Sequence, residues 1–188
     1  MNNNAAFIAF LNQYLALFTL VGFIIAILWL LKIIAHHYGF LRKYKHWMEH
    51  VARFAHPLGF LIALFAMIMS LYYSYFLNIA PCELCWFQRI FLYPQVLLFG
   101  LAWYKRDKEI YDYSIVLSAI GLFIAVYQHY LQMGYSLYTP CSTAPFAVDC
   151  AAPTFLEFGF VTYPFMSVVT FSILLLLAYT AKKFRKIE

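Results

Sequence analysis

The sequence predicts an all-α integral membrane protein with five transmembrane helices, and three observations carry that expectation. Of 188 residues, 65% are hydrophobic, 21% aromatic and only 11% charged, against roughly 25% charged residues in an ordinary soluble domain. Five apolar windows are each long enough, at about 1.5 Å per residue, to cross a hydrocarbon core of roughly 30 Å. Finally, nearly all the basic residues fall in segments that lie on one side of a five-span chain.

The windows are residues 7–34, 57–77, 86–104, 113–132 and 163–181. Between the first two, residues 36–56 are rich in Tyr, Trp, His and basic side chains, a pattern that suits an amphipathic helix at the membrane interface. Residues 105–112 form a tight charged turn that offers no chemistry. The loop at 133–162 contains Pro140, Pro145 and Pro153, and a loop of that length in a compact protein usually carries function. Its second half, residues 153–160, is too short to span and too apolar for free solution. A short amphipathic helix along the outer membrane surface is expected there.

Of 13 Lys and Arg residues, 12 fall in three segments: Lys32, Arg42, Lys43, Lys45 and Arg53; Lys105, Arg106 and Lys108; and Lys182, Lys183, Arg185 and Lys186. Positive residues are retained on the cytoplasmic side, so the N-terminus is expected outside and the C-terminus inside. The net charge of +5 then reads as topology and as affinity for anionic inner-leaflet lipid, with no nucleic acid required. Residues 1–6 carry no positive charge or small-residue cleavage pattern and do not read as a removable signal peptide.

All four cysteines fall on the opposite, outer side: Cys82 and Cys85 after the second window, Cys141 and Cys150 between the fourth and fifth. An even count on an oxidising face is what disulfide chemistry requires. Cysteines spaced as Cys82 and Cys85 can close a small disulfide ring, and a helix N-terminus there would stabilise a thiolate. Pro81, just before the pair, supports a helix start. Arg89 lies four residues beyond Cys85, on the same helical face with a rise of about 6 Å. Its charge would favour the Cys85 thiolate and offer donors to a carbonyl oxygen held near the sulfur. The competing readings are a snorkelling interfacial arginine, a static bridge between Cys141 and Cys150, and a zinc site. Gln128 and His129, near the outer end of an apolar run, are either hydrogen-bonded core groups or part of the same site.

The segment Pro81-Cys-Glu-Leu-Cys-Trp-Phe-Gln-Arg-Ile-Phe-Leu-Tyr-Pro94, the Gln128-His129 pair, the second cysteine pair and Phe158-Gly-Phe-Val-Thr-Tyr-Pro-Phe-Met-Ser167 together resemble the DsbB and BdbC family of membrane thiol oxidases. The resemblance covers residues 57–181 and implies a redox core of four transmembrane helices. Residues 1–56 would add an N-terminal transmembrane helix with its linker, as in five-span DsbI-type relatives, and residues 182–188 a basic cytoplasmic tail. It further implies a thioredoxin-like (DsbA-like) partner on the outer face and a membrane quinone, ubiquinone or menaquinone, as electron acceptor. By the same resemblance, Cys85 would be the quinone-proximal thiolate and Cys82 its partner in exchange with the loop. Cys141 would form the mixed disulfide with the partner protein and Cys150 would resolve it. Arg89 would contact the quinone, with Gln128 and His129 as further contacts. The eight residues separating Cys141 from Cys150 are fewer than in the long loop of the enterobacterial members.

Two other readings compete. A reductase running the relay backward would need cysteines within the spans or on the inner side, and the sequence has none there. A metal- or haem-binding membrane protein with structural disulfides would use His36, His37, His46, His50 and His56. Within that group His46 and His50 share a helix face, but no third or fourth ligand is evident.

Overall fold

The computed structural model describes residues 2–37, 45–105, 109–135, 148–153 and 155–184. Six helices occur among them: α1 (Asn2–His37), α2 (Lys45–Arg53), α3 (Ala55–Tyr75), α4 (Glu83–Lys105), α5 (Ile110–Gln132) and α6 (Tyr163–Phe184). All but the short α2 are long and apolar enough to span a membrane. The five expected spans are thus present, and the chain is a multi-pass membrane protein.

Helices α3 to α6 close a four-helix bundle, with α3 against α4, α4 against α5, α5 against α6 and α6 back against α3. Helix α1 packs on α6 from outside that ring. Its inward residues Trp29 and Ile33 join a core that includes Phe99, Tyr111, Phe171, Leu174 and Leu177. The outward faces stay apolar, as at Leu97 (70% exposed) and Phe123 (74% exposed). A soluble protein would hide such side chains, but lipid is their proper solvent.

Among the described residues buried side-chain polar groups are paired, His36 Nδ1 excepted, since hydrocarbon offers no substitute for a lost hydrogen bond. The side chain of Gln95, fully buried, accepts from Ser114 Oγ at 2.8 Å and Ser118 Oγ at 3.2 Å, joining α4 to α5. Its Nε2 donates to the Phe91 carbonyl at 3.0 Å. One residue earlier, Pro94 sits inside α4 and removes a backbone donor from the helix. Trp29 Nε1 donates to Thr180 Oγ1 at 3.1 Å and fixes α1 against α6.

Helix α2, expected as an interfacial element, is docked by one face as well. Met48 and Ala52 are fully buried in the main core, and Trp47 meets Trp29 edge-on at 5.8 Å beneath Lys32 Nζ. The expected outer-loop helix does not form among residues 155–162. They make a tight turn, with Glu157 and Val161 exchanging backbone hydrogen bonds at 3.0 and 2.9 Å. Phe158 and Gly159 adopt φ of 52° and 80°, values that a right-handed helix excludes. The apolar character that suggested a helix serves a different end. Phe155 and Val161 plug a second core made with Ala16, Phe165 and Val169.

Close approach of α5 to α6 depends on Gly121, where an added Cβ would lie 2.4 Å from the Phe171 ring. Gly121→Ala is therefore expected to cost about 1–3 kcal/mol through overpacking, read as a lower melting temperature in detergent. Adding Phe171→Leu should recover part of the loss.

Candidate active site

Helix α4 starts at Glu83, so Cys82 stands at its N-cap and Cys85 in its first turn. The Cys82 carbonyl accepts from the Trp86 N–H at 3.1 Å, the first bond of the helix. The N–H groups of Leu84 and Cys85 face the Cys82 sulfur, and the Cys82 N–H faces the Cys85 sulfur. Donors that a helix N-terminus leaves unpaired thus converge on both sulfurs.

The two sulfurs are 3.0 Å apart, well beyond the roughly 2.05 Å of a disulfide, and both are thiols. Gln128, fully buried on α5, donates from Nε2 to Cys82 Sγ at 3.0 Å and to Cys85 Sγ at 3.2 Å. Its orientation is set by Gln88, whose Nε2 donates to Gln128 Oε1 at 2.6 Å. With its oxygen occupied, Gln128 presents its N–H group to the sulfurs. The hydrogen bond to the Cys85 sulfur, reinforced by burial, raises the Cys82 thiol above the usual cysteine range.

Arg89, one turn below Cys85, is 8% exposed. Its Nε donates to Ser70 Oγ at 3.0 Å and its Nη2 to the Ser70 carbonyl at 3.0 Å and to Ser74 Oγ. Tyr93 OH also donates to Ser70 Oγ, at 3.2 Å, and the Trp86 ring lies 5.0 Å from the guanidinium. Among the described residues no carboxylate pairs with Arg89. Its charge is left to act on Cys85.

These groups share one cavity of about 440 Å³. Cys82, Cys85, Gln88, Arg89 and Gln128 line it together with Ser70, Ser74 and Tyr73; Gln132, Asp149, Ser167 and Thr170 add further polar groups, and apolar side chains of α1, α3 and α6 form much of the rest. An apolar recess that ends on a thiol and a guanidinium can hold a lipid-soluble molecule with a polar head against a redox sulfur.

Of the residues singled out from sequence, Cys82, Cys85, Arg89 and Gln128 come together here. His129 is set apart: its Nδ1 is 2.9 Å from Thr162 Oγ1 and its ring packs on Phe165, outside the cavity lining. Cys150 is fully buried in one cluster with Cys82, flanked by Leu84, Cys85 and Val148, and is disulfide-bonded. Cys141 lies outside the described residues. The histidines of the metal reading do not gather: His46 and His50 rings are 4.9 Å apart, but no three His, Cys, Asp or Glu side chains converge among the described residues.

Ser70, Ser74, Gln88 and Tyr93 were missed. The signal was present in retrospect, because Ser70 and Ser74 are four residues apart in an apolar helix and so form a polar stripe facing one neighbour.

Gln128→Leu removes the side-chain donor shared by both sulfurs. Hydrogen bonds to charged groups contribute about 1.5–3 kcal/mol, so alkylation of the Cys82–Cys85 pair by iodoacetamide at pH 7.5 should slow about tenfold or more. Gln88→Leu, which only frees the orienting contact, should slow it less.

The family model for disulfide bond formation protein DsbB matches residues 52–181. Disulfide bond formation protein C of Bacillus subtilis (strain 168) is 38% identical over 121 residues, covering 63% of this chain and 85% of that protein. A probable disulfide formation protein of Chlamydia trachomatis is 36% identical over 138 residues, covering 72% and 98%. Another, from Chlamydia caviae, is 41% identical over 130 residues, covering 66% and 91%. No solved structure matches the chain. With the matched residues spanning α3 to α6 and the whole Cys82–Cys85 site, the chain belongs to the DsbB family of disulfide bond formation proteins.

Proposed function

We propose that this chain is a quinone-dependent thiol oxidase that reoxidises a thioredoxin-like (DsbA-like) protein at the outer face of a bacterial cytoplasmic membrane. The observation that carries the reading is the cavity, which joins a redox thiol, an uncompensated arginine and apolar walls in one recess. Those residues fit a quinone. Arg89 would hold a carbonyl oxygen, the walls would hold the rest, and Cys85 lines the same space. A bound quinone supplies an acceptor for two electrons and two protons.

The chain's own part is a relay of thiolate attacks, each needing a deprotonated sulfur with access to the next disulfide. A thiolate of the reduced partner attacks the Cys141–Cys150 disulfide at Cys141, and Cys150 leaves as a thiolate. The second thiol of the partner then displaces Cys141, so the partner departs oxidised and the loop holds two thiols. Cys150 attacks a Cys82–Cys85 disulfide at Cys82, and Cys85 departs as thiolate among the Gln128 N–H, the α4 N-terminus and Arg89. Cys141 resolves the Cys150–Cys82 bridge, and Cys82 recovers a proton. Burial of Cys150 in one cluster with Cys82 supports that order of exchange despite the short spacing of the loop pair.

The orientation follows the charges. Lys32, Arg53, Lys105, Lys182 and Lys183 lie at the helix ends remote from Cys82 and Cys85, which supports an outer position for the cysteines.

Detergent-purified protein mixed with a reduced thioredoxin-like partner and a soluble quinone analogue should form quinol. Cys85→Ser should abolish turnover, and undiminished turnover in that variant would sink the mechanism. Arg89→Ala should raise the KM for the quinone about tenfold, and an unchanged KM would remove that side chain from the acceptor site.

A further inference from the structure

Helix α1 lies outside the residues that the family model matches, yet Leu15, Phe18, Thr19 and Gly22 line the cavity that reaches Cys85 and Arg89. Its placement is fixed on two sides. Against α6, Ala16 is fully buried, Phe23 meets Phe165 at 5.3 Å, and Gly22 approaches so closely that an added Cβ would lie 3.1 Å from Val169. Toward α3, Asn12 Oδ1 accepts from Tyr73 OH at 2.7 Å. Helix α1 thereby bridges α6 and α3 and walls the recess between them.

The recess is elongated and its two ends differ. On α3 its lining runs from Ser74 back to Ile62, a distance of about 18 Å at 1.5 Å per residue. Arg89, Cys85, Gln128, Ser70 and Ser74 gather at one end, and the lining toward Ile62 and Ile173 is apolar. Phe18, 71% exposed, stands where the recess meets the bilayer. A molecule that fills this space has a polar head and an apolar tail.

We propose that α1 is the tail-binding wall of the acceptor cavity, with Leu15, Phe18, Thr19 and Gly22 holding the isoprenoid chain of a quinone whose ring lies at Arg89 and Cys85. The proposal rests on the quinone reading given above and adds to it a role for a helix outside the matched core. Glycine at 22 keeps α1 close to α6, Thr19 turns its hydroxyl to the Leu15 carbonyl at 2.8 Å, and the methyl and aromatic surface that remains suits a hydrocarbon chain.

The test compares two probes on the detergent-purified full chain: a methyl-substituted benzoquinone or naphthoquinone without a tail, and the same ring carrying a decyl tail. Dissociation constants are read from quenching of tryptophan fluorescence, with Trp86 beside Arg89 as the nearest reporter and with no turnover needed. The wild-type protein should bind the tailed ring at least tenfold more tightly. Thr19→Phe, which fills the recess from α1, should reduce that preference about tenfold. Leu15→Ala, which only trims the wall and keeps the test open if the bulkier change fails to fold, should reduce it about threefold. A tail preference unchanged in both variants, or absent in the wild type because lipid occupies the recess, overturns the assignment of α1. A wild-type protein that binds neither probe overturns the quinone reading itself.

Discussion

A buried guanidinium without a carboxylate is the constraint on which the rest of the site depends. Placing an arginine at the centre of a membrane helix costs roughly 2.5–3.5 kcal/mol on insertion scales, less toward the ends, and the usual remedy is a counter-ion. Arg89 takes neutral acceptors instead: the Ser70 hydroxyl, the Ser70 carbonyl and the Ser74 hydroxyl, all on α3. Those bonds tie the first turns of α4 to the last turns of α3. They also fix the register that sets Cys82 at the α4 N-cap and Cys85 one turn above the cation. Gln88, adjacent to Arg89 but on another face, reaches across to Gln128 on α5. One turn of helix therefore faces two neighbours and supports both sulfurs.

The two ends of the bundle are built on different principles. At the end remote from the cysteines, cations meet partners that water can reach: Lys182 pairs with Asp112 on the exposed surface, and Lys32 and Lys183 lie over aromatic rings. At the cysteine end Glu83, Asp149 and Glu157 lie toward the outside, while around the sulfurs and Arg89 the partners are amides, hydroxyls and thiols hydrogen-bonded to one another. There Arg89, buried and without an ion pair among the described residues, is held by neutral groups. Buried polar networks of this kind also resist rearrangement, because each lost contact strands its partner in a medium without water.

Much of this was legible from sequence, for reasons that particular residues make plain. Apolar windows of bilayer length and the confinement of 12 of 13 cations to three segments are global signals. They place the five spans to within about five residues at each end. Cys82, Cys85 and Arg89 were visible because their spacing is local, within a single helical turn or two. Gln128 was noticed as an amide in an apolar run, but its role was not, since the contact to Cys82 spans 46 residues. His129, next to it, carried the same signal and turns the other way, toward Thr162. Helical rotation of about 100° between neighbours decides which of the two reaches the sulfurs, and composition does not report it. The outer-loop helix failed on a different point. Its apolar residues read as an interfacial face, but Phe155 and Val161 are buried and Phe158 and Gly159 take left-handed backbone, so tertiary contacts overrode the pattern.

An uncompensated cation also constrains the chemistry that can follow. No carboxylate pairs with Arg89 among the described residues, although Asp149 lines the same cavity, so in the relay proposed above two transient anions could draw on its charge. One would be a thiolate released when a Cys82–Cys85 disulfide is opened; the other would be a negative oxygen on a reduced acceptor, were one held in the same recess. A permanent Asp or Glu would have neutralised Arg89 in every state and stabilised none of them preferentially. Neutral ligands from Ser70 and Ser74 hold the guanidinium in place yet leave its field intact. In the proposed relay its stabilisation would fall on the charged states and not on a closed Cys82–Cys85 disulfide, which is the differential binding that lowers a barrier.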